Sequence, residues 1–430
     1  MPKQRRIRRI MAICSAVLAV SSAAACGADD SGDGTVTLTF WTHTHPPMIE
    51  LNKQLIAEYE SKNNVKIEYQ QIPNTEFGTK MLTSLSTGSG PDIINMDDNA
   101  LRGEYIPKKL IAPVDPAAFG KGSVAELEAG YVAGTLDGAK GPDGTLYGVP
   151  SEFNGTAFAI NIEHFEKAGL DPAKPPKTWD EVIEYGKALN RVGYKQGFNF
   201  LYLHSGWYNQ WYQTLLNQTG GRILSADGRT VEIDSPDSRE ALRLWVELAR
   251  TSGISDPKTS SRDATAPYQD LASGVQSMAI VYPWAMEQIK QSNPDTYEKL
   301  TVAPLPQVDT TKDPVSRVYG YFWAVNSASK QKAEAWKFIA YLASQHERWL
   351  SDVSFVQPVS GWESSAPAKN MPYIDVLAES YRVGKYDQVG PHWSEVQDAV
   401  RNAVDQAVFD GRPVEDVLRE AKEAIQRSIE

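Results

Sequence analysis

From residue 36 onward the chain switches between two hydrophobic periods in a fixed order, and this constrains its fold more than any other feature. Val36, Leu38 and Phe40 alternate with threonines, the period of a strand. Pro46-Pro47 then opens a stretch in which Met48, Leu51, Leu55 and Tyr59 share one helical face. Val65, Ile67 and Tyr69 alternate again; Phe77, Met81 and Leu85 mark a second helix, ended by Gly88; Gly90-Pro91 breaks the chain before Ile93-Ile94. The order strand, helix, strand, helix, strand predicts an α/β fold with a mostly parallel sheet flanked by helices. Such sheets take ligands at the carboxyl ends of their strands. Those ends carry Trp41-Thr42-His43-Thr44-His45 and Asn95-Met96-Asp97-Asp98-Asn99.

Later segments carry helix punctuation. Thr178-Trp179-Asp180-Glu181 reads as a capping box with Gly193 as the stop. Ser235-Pro236 places an N-cap and a first-turn proline before Leu242, Trp245 and Ala249, with Gly253 after the end. Trp336, Ile339 and Ala343 form another apolar stripe, as do Val417, Leu418, Ala421 and Ile425. Trp245 and Trp336 lie on such stripes and are expected in the core. A chain of 430 residues is long enough for more than one domain.

The N-terminus has the layout of an export signal in residues 1–25: Lys3, Arg5, Arg6, Arg8 and Arg9, an apolar run from Ile10 to Val20, then small residues. Ala23-Ala24-Ala25-Cys26 resembles a lipoprotein processing site, which would leave Cys26 lipid-modified at the extracellular face of the membrane. The alternative is an ordinary signal with an incidental cysteine. The Gly- and Asp-rich residues 27–34 read with Cys26 as a flexible tether. Cys14 and Cys26 are the only cysteines, so the body of the chain is expected to have neither disulfide nor thiolate metal site. A net charge of −11 argues against nucleic acid as a partner.

A run of short motifs resembles the family 1 extracellular solute-binding proteins of bacterial ABC importers, which are similar to maltodextrin-binding proteins. These motifs are Gly90-Pro91-Asp92-Ile93-Ile94, Tyr147-Gly148-Val149-Pro150, Thr178-Trp179-Asp180-Glu181, Ala279-Ile280-Val281-Tyr282-Pro283-Trp284-Ala285, Ala303-Pro304-Leu305-Pro306 and Gly320-Tyr321-Phe322-Trp323-Ala324-Val325. Tyr282 departs from the glycine usual there. The resemblance implies two α/β lobes with a ligand cleft between them, no enzymatic activity and no cofactor. It implies a sugar or oligosaccharide as ligand, an ABC permease as partner and a monomeric receptor. Residues 35–150 and 285–344 are expected in one lobe, 151–284 and 345–430 in the other, with crossings near Glu152–Asn154, Trp284 and Ser344.

A pyranose presents an apolar face and a rim of hydroxyls, so its site needs flat aromatics and bidentate polar groups. The chain holds 11 Trp and 19 Tyr. Candidates for the apolar face are Trp41, Trp207, Tyr208, Trp211, Trp284, Tyr319, Tyr321 and Trp362. Candidates for the rim are His43, Asp97, Asp98, Asn99, Glu152, Asn154 and Gln357. One of Asp97 and Asp98 is expected to cap the helix that begins near Ala100, leaving the other for ligand. His43-x-His45 is not expected to bind metal, because no third ligand stands at a recognisable spacing. Two alternatives remain open: a surface-anchored carbohydrate-active enzyme working through a carboxylate pair, and a receptor for a non-sugar solute. A phosphate-bearing solute would need Arg or Lys in the cleft, and the cleft segments named above contain almost none.

Overall fold

The computed structural model describes residues 35–194, 196–198, 208–225, 228–255, 266–390 and 392–430. The export signal, Cys26, the tether and Trp207 lie outside the described residues.

The first lobe is built on the predicted strands β1 (Val36–His43), β2 (Val65–Ile72) and β3 (Ile93–Asp97), paired in parallel in the order β2-β1-β3. Further strands are β4 (Ile111–Ala112), β5 (Val149–Gly155), β6 (Ala157–Asn161), β7 (Gln196–Phe198), β8 (Gln276–Val281), β9 (Leu300–Ala303), β10 (Ser316–Asn326) and β11 (Gly384–Lys385). The helices Pro46–Glu60 and Asn74–Ser86 fill the two connections of the βαβαβ unit. Met48, Leu51, Leu55 and Tyr59 are buried along one face of the first, as their spacing requires. The first core gathers them with Leu38, Phe40, Ile93, Trp323 and Trp336.

The second lobe carries a four-stranded sheet in the order β7-β8-β6-β9. Its core holds Phe158, Trp179, Trp245 and the apolar face of the helix Val414–Ile429. Thr178 closes a complete capping box with Glu181. Ser235 caps the helix Pro236–Val246 through Ser238 N.

Strand directions are more mixed than a mostly parallel sheet. β10 runs antiparallel to β3, β4 and β5, and β6 runs antiparallel to both β8 and β9. The cause is connectivity. β5 and β6 are consecutive and separated by Thr156 alone, so the chain passes straight from one sheet into the other without a helical crossover.

The later crossings also differ from expectation. β9 pairs with β6, so the chain stays with the second sheet beyond Trp284 and rejoins the first only with β10. Trp349, Val353 and Phe355 pack in the first core, so that core extends past Ser344. A third, smaller cluster of Phe153, Val318, Trp362 and Tyr381 lies along the crossing strands.

Register sets the position of the site. Tyr321 of β10 stands opposite Asp97, the last residue of β3. The earlier part of β10 therefore runs past the carboxyl ends of the first sheet, where its partners are β5 and β11.

Candidate functional site

Beyond the end of β3, Tyr321 lies opposite Glu152 and Tyr319 opposite Asn154. Alternation along a strand puts Tyr319 and Tyr321 on one face, with Glu152 and Asn154 beside them. The Asn154 amide donates to Glu152 Oε1 at 2.6 Å. Burial pushes the Glu152 carboxyl up to about 7, against the opposing pull of that hydrogen bond. Burial also holds the Tyr319 and Tyr321 hydroxyls well above their ordinary range, keeping them neutral donors.

Trp284 reaches this face from the second lobe. Its strand, β8, ends at Val281; Tyr282 is the N-cap and Trp284 belongs to the first turn of the helix Pro283–Ser292. The indole Nε1–H donates to the Tyr319 hydroxyl at 2.7 Å. Its ring stacks on Tyr282 at 5.9 Å and 8° and meets Tyr268 edge-on at 5.1 Å. Half-buried Trp284 packs against both the first and the second core. Four aromatic rings thus converge where the lobes meet, in offset and edge-to-face arrangements that favour such groups.

At the end of β1, His43 Nδ1 lies 3.1 Å from Asn95 Oδ1, and Asn95 Nδ2 donates to Ser151 Oγ at 2.6 Å. A carbonyl oxygen only accepts, so Nδ1 carries the proton and Nε2 is left as an acceptor. Burial, assisted by the neighbouring His45, pushes His43 down to about 3 and keeps it neutral. Its ring lies 4.4 Å from that of Tyr321. His45 turns elsewhere: it is the N-cap of the helix Pro46–Glu60, and its ring packs on Phe355 at 4.8 Å.

The Asp97–Asn99 cluster is more committed than its sequence suggested. Asp97 caps the following helix by accepting from Ala100 N at 3.0 Å. Asp98 is not left open for a ligand: it is 1% exposed, pairs with Arg102 at 2.7 Å and accepts from Gly320 N at 3.2 Å. Burial pushes its carboxyl up to about 6 even so. The Asn99 amide donates to Asp387 Oδ2 at 3.0 Å. Asp387 also receives a two-pronged bond from Arg317, Nε to Oδ1 at 2.8 Å and Nη2 to Oδ2 at 2.7 Å. Each partner of that pair has a side chain only 1% exposed.

Arg102, Arg317 and Asp387 were missed by sequence reasoning, which found the cleft segments nearly free of basic residues. One local signal existed for Arg317, a guanidinium inside the otherwise apolar and aromatic strand Ser316–Asn326. Nothing around Asp387 marks it. Beside this network lies a cavity of about 220 Å³, lined by Arg102, Tyr386, Asp387 and Gln388 on one side and by Arg222 and Leu224 on the other. A more apolar cavity of about 320 Å³, lined by Pro175, Ala303, Pro304, Leu305, Pro314 and Val376 among others, touches none of these residues.

The remaining described candidates have other partners. Trp41 is half-buried, with Lys80 Nζ over its ring at 5.1 Å. Gln357 is 3% exposed; its amide donates to Ala343 O at 3.1 Å and accepts from Trp349 Nε1 at 3.2 Å in the orientation that satisfies both atoms. It joins packed elements through these two bonds. Trp362 is buried in the third cluster, 5.3 Å from the Tyr381 ring. Tyr208 and Trp211 belong to the helix Tyr208–Thr219, but their side chains are outside what the structure describes.

Comparison with known proteins agrees with this architecture. A Brucella abortus (strain 2308) binding protein is 26% identical over 419 residues, covering 94% of each chain. A Thermotoga lettingae TMO ABC transporter solute-binding protein, solved with alpha-D-tagatose, superposes with a TM-score of 0.80 at 22% identity, covering 92% of this chain and all of that one. Maltose-bound T. maritima MalE3 gives a TM-score of 0.79 at 19% identity, with 91% and 99% covered. These likenesses establish the two-lobed binding-protein fold. The family of bacterial extracellular solute-binding proteins matches residues 46–347, most of the chain, and the protein belongs to that family.

Proposed function

We propose that the protein captures a sugar or oligosaccharide between its lobes and delivers it to an ABC permease. One observation carries this reading: Trp284, Tyr319 and Tyr321 converge beside Glu152 and Asn154 where the two lobes meet. Flat apolar rings beside a buried carboxyl–amide pair match a sugar ring and its hydroxyl rim. The names of similar proteins support it, since the solved neighbours include a tagatose and a maltose complex. The lobes are assigned to the two halves of the cleft, one carrying β1–β3 and the other β6–β9. His43 contributes its Nε2 as an acceptor, and Asp97 its second oxygen. Cys26 is the lipid attachment point that keeps the receptor at the outer face of the membrane, where it acts as a monomer.

A thermal-shift screen against neutral mono- and oligosaccharides tests the reading, followed by calorimetric titration of the best one. A ligand at 100 times its Kd raises stability by about 2.7 kcal/mol. Unchanged sugar recovered after incubation supports a receptor, and cleaved sugar defeats it. No stabilisation by any sugar defeats the sugar assignment.

A further inference from the structure

Among the described residues, Arg317, Arg102 and Arg222 are each held by a carboxylate of this chain. Arg317 gives its Nε and Nη2 to Asp387, its Nη1 lies 3.4 Å from the Tyr282 hydroxyl, and its guanidinium lies over the Tyr319 ring at 5.2 Å. Arg102 gives Nη2 to Asp98, to the Asp387 carbonyl at 3.0 Å and, more weakly, to Asn99 at 3.4 Å. Its buried Nε has no hydrogen-bond partner. Arg222 pairs with Glu232 at 3.4 Å and donates to Leu224 O. Against these cations stand Asp97 and Glu152, which among the described residues have no ion-pair partner.

We infer that the cleft selects against anionic solutes, phosphorylated sugars and polyol phosphates among them. In this inference Asp387 and Asp98 determine that selectivity by masking Arg317 and Arg102. It rests on the cleft reading above and narrows its ligand to an uncharged polyhydroxyl compound. A phosphate needs guanidinium or amide donors that are free to turn toward it. Taking Arg317 from Asp387 would strand a buried carboxylate, and an anion placed near the carboxyls of Asp97 and Asp387 would meet like charge wherever they are ionised. The same arrangement leaves neutral hydroxyls unopposed, since they bond to committed carboxylates and amides without displacing a counter-charge.

The test uses the full mature chain at constant ionic strength. Inorganic phosphate is titrated by thermal shift and calorimetry, alongside the pairs glucose and glucose 6-phosphate, ribose and ribose 5-phosphate, and glycerol and sn-glycerol 3-phosphate. The expected result is no saturable response to inorganic phosphate, and a phosphorylated member at least ~100-fold weaker than its parent wherever the parent binds. Saturable phosphate binding, or an ester tighter than its parent, overturns the inference. Asp387→Asn keeps the shape and unmasks Arg317; it should gain saturable phosphate binding or lose at least ~10-fold of the discrimination. Asp98→Asn unmasks the more accessible Arg102 in the same way and serves if the first variant does not fold. A folded variant of either kind that still excludes phosphate removes the assigned role of that carboxylate. Failure of every neutral sugar together with exclusion of phosphate would sink the sugar reading and leave this inference standing.

Discussion

The parallel strands of the first lobe and the crossing strands beneath the cleft both bury side chains, and for different reasons: β1 buries alternate residues, β5 every one. β1 and β3 hide Leu38, Phe40, Ile93 and Ile94, each fully inaccessible. Each such side chain contributes about 1.5–3 kcal/mol by leaving water. β5 and β10 instead hide Glu152, Asn154 and Arg317 at 4%, 2% and 1% exposure. Those groups are costly to bury: Glu152 and Asn154 are bonded to each other within β5, whereas Arg317 and the aspartates around it take partners that arrive from far along the chain. Arg317 and Asp387 are separated by 70 residues, Asp98 and Gly320 by 222, Asn99 and Asp387 by 288. An apolar strand draws its stability from a pattern written within it. A polar crossing has stability only once the tertiary fold has delivered its counter-groups, and the same unspent polarity is what a ligand can use.

The sharpest way to break this comparison is to remove one side of the buried ion pair. Arg317→Met leaves Asp387 nearly inaccessible and without its guanidinium, and should cost about 3–5 kcal/mol. The double variant Arg317→Met with Asp387→Leu should recover much of that loss. Urea unfolding of both decides it; equal losses would mean that the pair stabilises by more than mutual neutralisation.

Two tryptophans separate packing from recognition. Trp245 is fully buried in the second core, and Trp245→Ala should cost about 3–5 kcal/mol of stability. Trp284 is only half-buried and is held by Tyr282 and the Tyr319 hydroxyl. Trp284→Ala should cost about 2–4 kcal/mol of sugar affinity and only about 1–2 kcal/mol of stability. Calorimetric titration beside ligand-free melting separates these, and a Trp284→Ala protein that binds like the wild type would move the site elsewhere.

The buried titratable groups of the crossing strands and of the strand ends should also give stability a pH dependence, with opposite signs for the carboxyls and for His43. Glu152 is raised from 4.5 to about 7 by burial, so the folded state binds its proton more tightly than the unfolded state does. Its stabilising contribution is complete below about 4.5 and is lost as pH rises through about 7, on the order of 2–3 kcal/mol in all. Asp98, raised from 3.8 to about 6, loses its contribution in the same direction over that lower window. His43 acts oppositely: lowered from 6.5 to about 3, it favours the fold as pH rises through that range. Glu152→Gln should therefore flatten the decline between pH 4.5 and 7 and leave the His43 contribution in place. Denaturant titrations across that range measure it, and an unchanged profile would show that Glu152 titrates normally.

The smallest effect belongs to a purely local device. Thr178→Ala removes the side-chain half of the capping box at the helix Trp179–Arg191 and should cost about 1 kcal/mol, with no change in ligand affinity. A measurable loss of affinity would tie that helix to the cleft.

The alternation from Val36 to Ile94, the proline-opened helices, the capping box at Thr178 and the core stripes through Trp245 and Trp336 were all legible from the chain itself. Their signals are periods and caps confined to a few turns, and local sterics and burial act over that same range. Of the candidate site, the strand-end positions of His43 and Asp97–Asn99 followed from the same logic, and Trp284 followed from its motif. Only the tertiary structure decided that β9 stays with the second sheet, that Asp98 is spent on Arg102, and that Gln357 and Trp362 pack inside. It alone joined Arg317 to Asp387. None of these has a period, because each depends on which distant segments are brought side by side. A buried charge takes whatever partner the fold presents, and that choice is made in space, where sequence separation carries no information.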